Sequence, residues 1–128
     1  MTPPPVVAEA DARFDVRPSA VPGAGLGLFA RVALPAGAEL EVVGVRVARD
    51  SPADRCSHFA DCHKFNVGEG WLLVPLGFGG MANHSDAPNA AREVRGDRVV
   101  LRTLRPVAAG EEVFLCYRPA ARERMGLA

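Results

Sequence analysis

Gly23-Ala24-Gly25-Leu26-Gly27, followed by Leu28-Phe29-Ala30-Arg31-Val32-Ala33-Leu34-Pro35-Ala36-Gly37, is the stretch on which the choice of fold turns. A glycine turn of this kind opens the dinucleotide-binding βαβ unit, where a helix N-terminus meets a pyrophosphate. That unit needs a long helix directly after the glycines. Here the next residues read as a strand that runs into a Pro35/Gly37 turn, which leaves no room for one. The dinucleotide reading therefore fails on context. Two readings stay open at this point: a glycine-rich surface turn, or a backbone platform on which missing Cβ atoms let main-chain atoms approach a ligand closely.

Outward from this turn, short apolar segments alternate with glycine or proline: Phe14 to Arg17, Gly27 to Val32, Glu39 to Val47, Lys64 to Val67, Trp71 to Val74, Ala90 to Val94, Val99 to Leu104 and Glu112 to Tyr117. Short β-branched runs at this spacing predict a mainly β domain with many turns. Arg95-Gly96-Asp97 reads as a hairpin turn whose second arm begins at Arg98. The helix signal is confined to Ser51 to His58, with Ser51 as the cap and Pro52 at the first helical position. Three consecutive prolines and an alanine-rich stretch predict a flexible N-terminal tail over residues 1–12. The domain itself is expected over residues 13–118, with a short C-terminal tail over 119–128.

At 128 residues the chain can form a single core without disulfides or a structural metal. Fifteen basic side chains balance fifteen acidic ones, so no overall field draws it to nucleic acid or an anionic membrane, and neither partner is expected. Without a long apolar run or a charged-then-apolar leader, the expected location is cytoplasmic. Cys56, Cys62 and Cys116 are an odd number and suit reduced thiols. Cys56-Ser57-His58 with Cys62-His63 invites a zinc reading, but the spacing matches no ribbon or finger. His84, Ser85 and Asp86 are consecutive, point in different directions and cannot form a hydrolase triad. Lys64 is the only lysine.

Three ordered segments together resemble the SET family of protein lysine methyltransferases. The first is Val21-Pro22-Gly23-Ala24-Gly25-Leu26-Gly27-Leu28-Phe29-Ala30, with Leu34-Pro35-Ala36-Gly37-Ala38-Glu39-Leu40 after it. The second is Asn83-His84-Ser85-Asp86-Ala87-Pro88-Asn89, close to the family's Asn-His-Ser-Cys-x-Pro-Asn. The third, Val107-Ala108-Ala109-Gly110-Glu111-Glu112-Val113-Phe114-Leu115-Cys116-Tyr117, is similar to its Gly-Glu-Glu-Leu-x-x-x-Tyr ending. Their order and spacing over residues 14 to 117 carry the resemblance. It implies a SET-type β-clip fold of several small sheets, in which the C-terminal segment threads under a loop from the middle of the chain as a pseudoknot. It also implies methyl transfer from S-adenosyl-L-methionine to an exposed lysine of a protein substrate.

The same resemblance implies roles for single residues. Tyr117, the only tyrosine, falls at the catalytic position and would orient the amine or the methyl group. Asn83 would bond the methionine end of the cofactor and the His84 main chain its adenine, with the backbone of Gly25, Leu26, Gly27 and Leu28 lining the same pocket. Leu115 stands where many relatives carry an aromatic residue that limits how many methyl groups are added. Phe65 and Trp71 are candidates for apolar walls of the lysine channel. Such a channel answers a chemical need, because a lysine amine with a pKa near 10.4 is only about one part in a few thousand neutral at pH 7. Desolvation and a nearby sulfonium charge both favour the neutral form, and in-line positioning supplies much of the rate. Away from the motifs the same residues have plainer readings: Tyr117 as a half-buried strand residue, Asn83-His84 as turn chemistry, the aromatics as core, and Glu93, Asp97, Glu111 and Glu112 as solvated strand-edge charges.

The chain also departs from the pattern. Asp86 takes the place of a zinc-ligating cysteine, and no cysteine follows Tyr117, so no zinc is expected. Gly80-Met81-Ala82 replaces the Arg-Phe that often precedes Asn-His. The aromatic cap after the catalytic tyrosine is missing, which leaves Met125-Gly126-Leu127, a second subunit in a homodimer, or the substrate to exclude water. A catalytically inactive module that binds a peptide or the cofactor without turnover is the alternative to an enzyme.

Overall fold

Residues 11–61, 63–96 and 98–117 are described by the structure, a computed structural model. They form strands β1 (Phe14–Pro18), β2 (Leu26–Ala30), β3 (Glu39–Glu41), β4 (Gly44–Ala48), β5 (Phe65–Asn66), β6 (Trp71–Pro75), β7 (Asn83–His84), β8 (Ala90–Arg95), β9 (Arg98–Thr103) and β10 (Glu112–Leu115), with one short α-helix, α1 (Pro52–Cys56), and single 3-10 turns at His58–Ala60 and Phe78–Gly80. The tails expected over 1–12 and 119–128, Met125 to Leu127 among them, fall outside the described residues except for Asp11 and Ala12. No helix among the described residues is long and apolar enough to cross a membrane.

The strands build three small sheets, ordered β1-β2-β10-β7, β3-β9-β8 and β4-β6-β5. In the first, β10 runs antiparallel to β2, with Val113 opposite Leu28, and parallel to β7, with Leu115 opposite His84. A late strand thus lies between an early one and one from the middle of the chain, as the pseudoknotted fold demands. The second sheet contains the expected hairpin, whose register pairs Arg95 with Arg98 around Gly96 at φ 66°. The single run expected over Glu39 to Val47 is divided between two sheets. The Val42 N–H donates to the Val99 carbonyl, whereas the Val43 carbonyl accepts from Leu76 N–H, so the chain changes partners between these residues. Gly44 follows, so close to the Val74 carbonyl that a side chain there would collide with it.

One core joins the sheets: Phe14, Leu28, Leu40, Phe65, Leu73, Val99, Leu101, Val107, Val113 and Leu115 belong to it. Leu28 and Val99 are fully buried. The two Pro/Gly turns are bound together by reciprocal hydrogen bonds between Leu34 and Val107, at 2.8 and 2.9 Å. Buried Asn89, last residue of the Asn-His-Ser motif, serves β10 in place of a strand neighbour. Its Nδ2 donates to the Glu112 carbonyl and its Oδ1 accepts from Phe114 N–H, both at 2.8 Å.

Between β4 and β5 the chain makes α1, capped by Ser51 as expected, with Asp54 N–H donating to Ser51 Oγ at 3.2 Å. Lys64 closes this segment. Its side chain is 1% exposed, and Nζ donates to Asp54 Oδ1 at 2.7 Å, Asp61 Oδ1 at 2.6 Å and the Asp54 carbonyl at 3.1 Å. Burial alone would depress the Lys64 pKa, but the two carboxylates outweigh it and raise it above 10.5. The bond from Lys64 in turn holds the Asp54 carboxyl below its ordinary range.

The turn leading into β10 is held by Glu111, which accepts from Arg105 Nη2 at 2.6 Å and from Ala108 N–H at 3.0 Å. These donors lower its pKa from 4.5 to about 2. A carboxyl depressed by folding contributes stability above its unfolded pKa and loses it as pH falls through the folded value. Wild-type stability should therefore decline between about pH 4.5 and 2 more steeply than that of Glu111→Gln, a difference readable from urea melts across that range. Equal acid limbs would mean that Glu111 is solvated.

Candidate functional site

β7 is two residues long, and what fixes it is its parallel pairing with β10, which brings Ala82, Asn83 and His84 alongside the segment ending at Tyr117. The Tyr117 hydroxyl donates to the Ala82 carbonyl at 2.6 Å. Tyr117 N–H donates to His84 Nδ1 at 3.0 Å, and the two rings lie 5.2 Å apart with an interplanar angle of 41°. Because Nδ1 is the acceptor, neutral His84 carries its proton on Nε2, which donates to Asp86 Oδ1 at 3.0 Å. The His84 ring is thus a clamp on the Tyr117 backbone, while its main chain stays in β7.

On the other side of β10, Gly27 lies against two polar side chains. A Cβ on Gly27 would come 2.5 Å from Glu112 Oε2 and 3.1 Å from Asn83 Nδ2, so a side chain there would push both polar ends from their places. Asn83 Nδ2 donates to the Leu26 carbonyl at 3.0 Å and to Glu112 Oε2 at 3.2 Å. Gly25, at φ 75°, needs glycine for its backbone conformation, since a side chain there would meet nothing within 4 Å. The side chain of Leu28 belongs to the core, and its backbone is paired on both sides, with Val16 and Val113. At Gly27 the missing Cβ lets the main chain meet the Asn83 amide and the Glu112 carboxylate where a side chain would stand.

A cavity of about 20 Å³, room for about one water molecule, has Tyr117 in its lining. Phe65, Ala82, Leu115 and Tyr117 wall it, together with Gly80 and Arg92. The Arg92 guanidinium lies 6.0 Å from the Phe65 ring centroid. Three of the residues singled out from the sequence, Phe65, Leu115 and Tyr117, therefore meet in one place, and Asn83 and His84 directly follow the carbonyl that receives the Tyr117 hydroxyl. Trp71 does not join them. It opens β6 on the solvent side, 39% exposed, with the Arg46 guanidinium 4.2 Å from its ring centroid.

Sequence reasoning missed Arg92 and Glu112. Arg92 had a signal: it lies two residues after buried Ala90, on the same face of β8. Glu112 was read as a solvated edge charge, yet it is only 6% exposed. It accepts from Ser19 Oγ at 2.7 Å and Ala20 N–H at 3.0 Å as well as from Asn83. Of the Cys/His cluster, Cys56 is exposed, His58 Nδ1 pairs with Asp61, His63 Nδ1 faces the Gly80 carbonyl, and Cys62 lies outside the described residues.

A family model of the SET domain matches residues 25–118. The chain belongs to the SET domain family. No curated protein matches the sequence. Among solved structures, this SET domain is similar to a Plasmodium falciparum protein assigned as a histone methyltransferase, at 20% identity and a TM-score of 0.66 over 86% of this chain and 96% of that one. It is also similar to a chain of a humanized mutant of the Chaetomium thermophilum Polycomb Repressive Complex 2 bound to the inhibitor GSK126, at 21% identity and a TM-score of 0.71. There the match takes in 91% of this SET domain but 16% of the larger chain. At these identities the likeness is one of fold. In SET-domain terms, the glycine turn, the Asn83-His84 strand and the segment ending at Tyr117 are the three parts that β10 draws together.

Proposed function

We propose that this SET domain transfers a methyl group from S-adenosyl-L-methionine to a lysine side chain of another protein. The observation that carries the reading is the bond from the Tyr117 hydroxyl to the Ala82 carbonyl, beside a small cavity partly walled by Phe65 and Leu115 and one residue before Asn83. S-adenosyl-L-methionine, when bound, supplies a methyl group on a positively charged sulfur. The residues present fit such a cofactor. Gly27 lets the Asn83 amide pack against the main chain, and Asn83 Oδ1 receives no hydrogen bond from any described residue and so can accept one from an amine. In this reading the Gly25 to Gly27 backbone, Asn83 and the His84 main chain hold the cofactor, while Leu28 fixes the platform from the core.

The cavity would act on the substrate amine in two ways. Phe65 and Leu115, 6% and 3% exposed, replace water with apolar surface and so favour the neutral amine that can attack. The Tyr117 oxygen, its proton directed to the Ala82 carbonyl, would then accept an N–H and turn the amine lone pair toward the methyl group. Leu115, an aliphatic residue beside this point, sets how much room remains for a methylated amine.

The test is incubation with labelled S-adenosyl-L-methionine and a mixture of basic proteins, with and without Asn83→Ala. Label should appear on lysine with the wild-type protein and fall at least about tenfold in the variant. Cofactor binding by calorimetry without transfer to any protein would assign a binding module instead. Neither binding nor transfer would remove the reading altogether.

A further inference from the structure

Asn83 has two N–H bonds on Nδ2, and both are engaged, one by the Leu26 carbonyl and one by Glu112 Oε2. Each of these partners can only accept. Turned over, the amide would set its own carbonyl oxygen against a carboxylate and a peptide carbonyl, three acceptors with no proton among them. The geometry therefore fixes which end of the amide is which, and the choice comes from Glu112. The carboxylate is itself fixed. Ala20 N–H donates to Oε1, and Ser19 Oγ–H donates to Oε2. The Ser19 oxygen also accepts Val21 N–H at 3.0 Å, which holds the side chain beside Glu112. Gly27, having no side chain, leaves the pair in contact with the main chain.

We infer that Glu112 is a positioning residue that sets the polarity of the cofactor pocket. By holding Asn83 with Nδ2 toward β2 and β10, it makes Oδ1 the group that Asn83 offers to a ligand. The pocket then selects a ligand that presents a donor at this point, an ammonium above all, and rejects one that presents a carboxylate or carbonyl there. This rests on the cofactor reading given above and adds to it the residue that makes the asparagine read an amine.

Glu112→Gln keeps the length and shape of the side chain. Its Oε1 can still accept from Ala20 N–H, which places an NH₂ where Oε2 stood. Asn83 then has a reason to turn its oxygen inward and its NH₂ outward. The experiment is a calorimetric titration of wild type, Glu112→Gln and Asn83→Ala with S-adenosylhomocysteine and with its deaminated analogue, which has hydrogen in place of the amine. The wild type should bind the amine-bearing ligand about tenfold to a hundredfold more tightly than the analogue. Both variants should bring that ratio within about threefold of unity. A wild-type ratio retained in Glu112→Gln overturns the inference. So does a ratio lost in Glu112→Gln but kept in Asn83→Ala, since Glu112 would then act on the ligand by its charge alone. A second readout needs no ligand: the Asn83 side-chain NH₂ protons, identified in nitrogen-15 spectra by their loss in Asn83→Ala, should exchange with solvent more slowly in wild type than in Glu112→Gln. Equal exchange overturns the inference even if Glu112→Gln proves poorly folded in calorimetry. Failure of wild type to bind either ligand is a different result; it removes the cofactor reading itself, and the amine selection with it.

Discussion

Tyr117→Phe should lower methyl transfer about a hundredfold or more while leaving S-adenosylhomocysteine affinity near the wild-type value. The ring stays in place, because its contact with His84 and the backbone bond from Tyr117 N–H to His84 Nδ1 do not involve the hydroxyl. What goes is the oxygen anchored on the Ala82 carbonyl and, with it, the acceptor that aligns the amine. Loss of the bond to the Ala82 carbonyl costs the fold about 1 kcal/mol. Single-turnover transfer, cofactor titration and thermal melting of the same preparation separate the three effects. Transfer within about threefold of wild type would mean that the phenol has no part in the reaction.

Lys64→Met should be the most destabilising of the substitutions considered, by about 3 to 5 kcal/mol. Removing the ammonium leaves Asp54 buried, with its acceptors facing an apolar chain, and that stranded charge is the larger part of the loss. For a domain of this size the melting temperature should fall by on the order of 15 °C. Adding Asp54→Asn to Lys64→Met should recover part of the loss, because the charge is removed while Asp50 N–H keeps an acceptor. The pH dependence carries a sign as well. A lysine whose pKa is raised by folding contributes fully below its unfolded value of 10.5 and loses that contribution as pH rises through the folded value. The wild type should therefore show an alkaline limb above pH 10.5 that Lys64→Met lacks. A Lys64→Met protein that melts within a few degrees of wild type would mean that the cluster is hydrated in solution.

What the sequence made legible was local. The strand runs around Phe14, Trp71, Ala90 and Val99 follow from period and turn residues, and the Ser51-Pro52 helix start follows from cap chemistry; all are found within a residue or two. The site motifs were legible because each is a continuous string. The Ser19 to Glu112 contact was not, because 93 positions separate its partners. Glu112 therefore looked like an edge charge, whereas β2 and the Asn83 amide cover it. The same reason hid β7: two residues carry no periodicity, and only their register with Phe114 and Leu115 makes them a strand. Trp71 shows the converse. Its aromatic character suggested a channel wall, but Trp71 is the first residue of β6 and stands outside against Arg46, while Leu72 and Leu73 after it are buried.

The insertion of β10 between β2 and β7 has a consequence for biosynthesis. While residues up to about His84 are already outside the ribosome, the partner that separates them from the amino-terminal hairpin has not yet been made. Two unsatisfied strand edges must wait for a segment translated almost 30 residues later, and such edges are templates for wrong partners. The nascent domain thus passes through a window in which it is most in need of chaperone cover, and that window closes only with the emergence of Val113 to Tyr117.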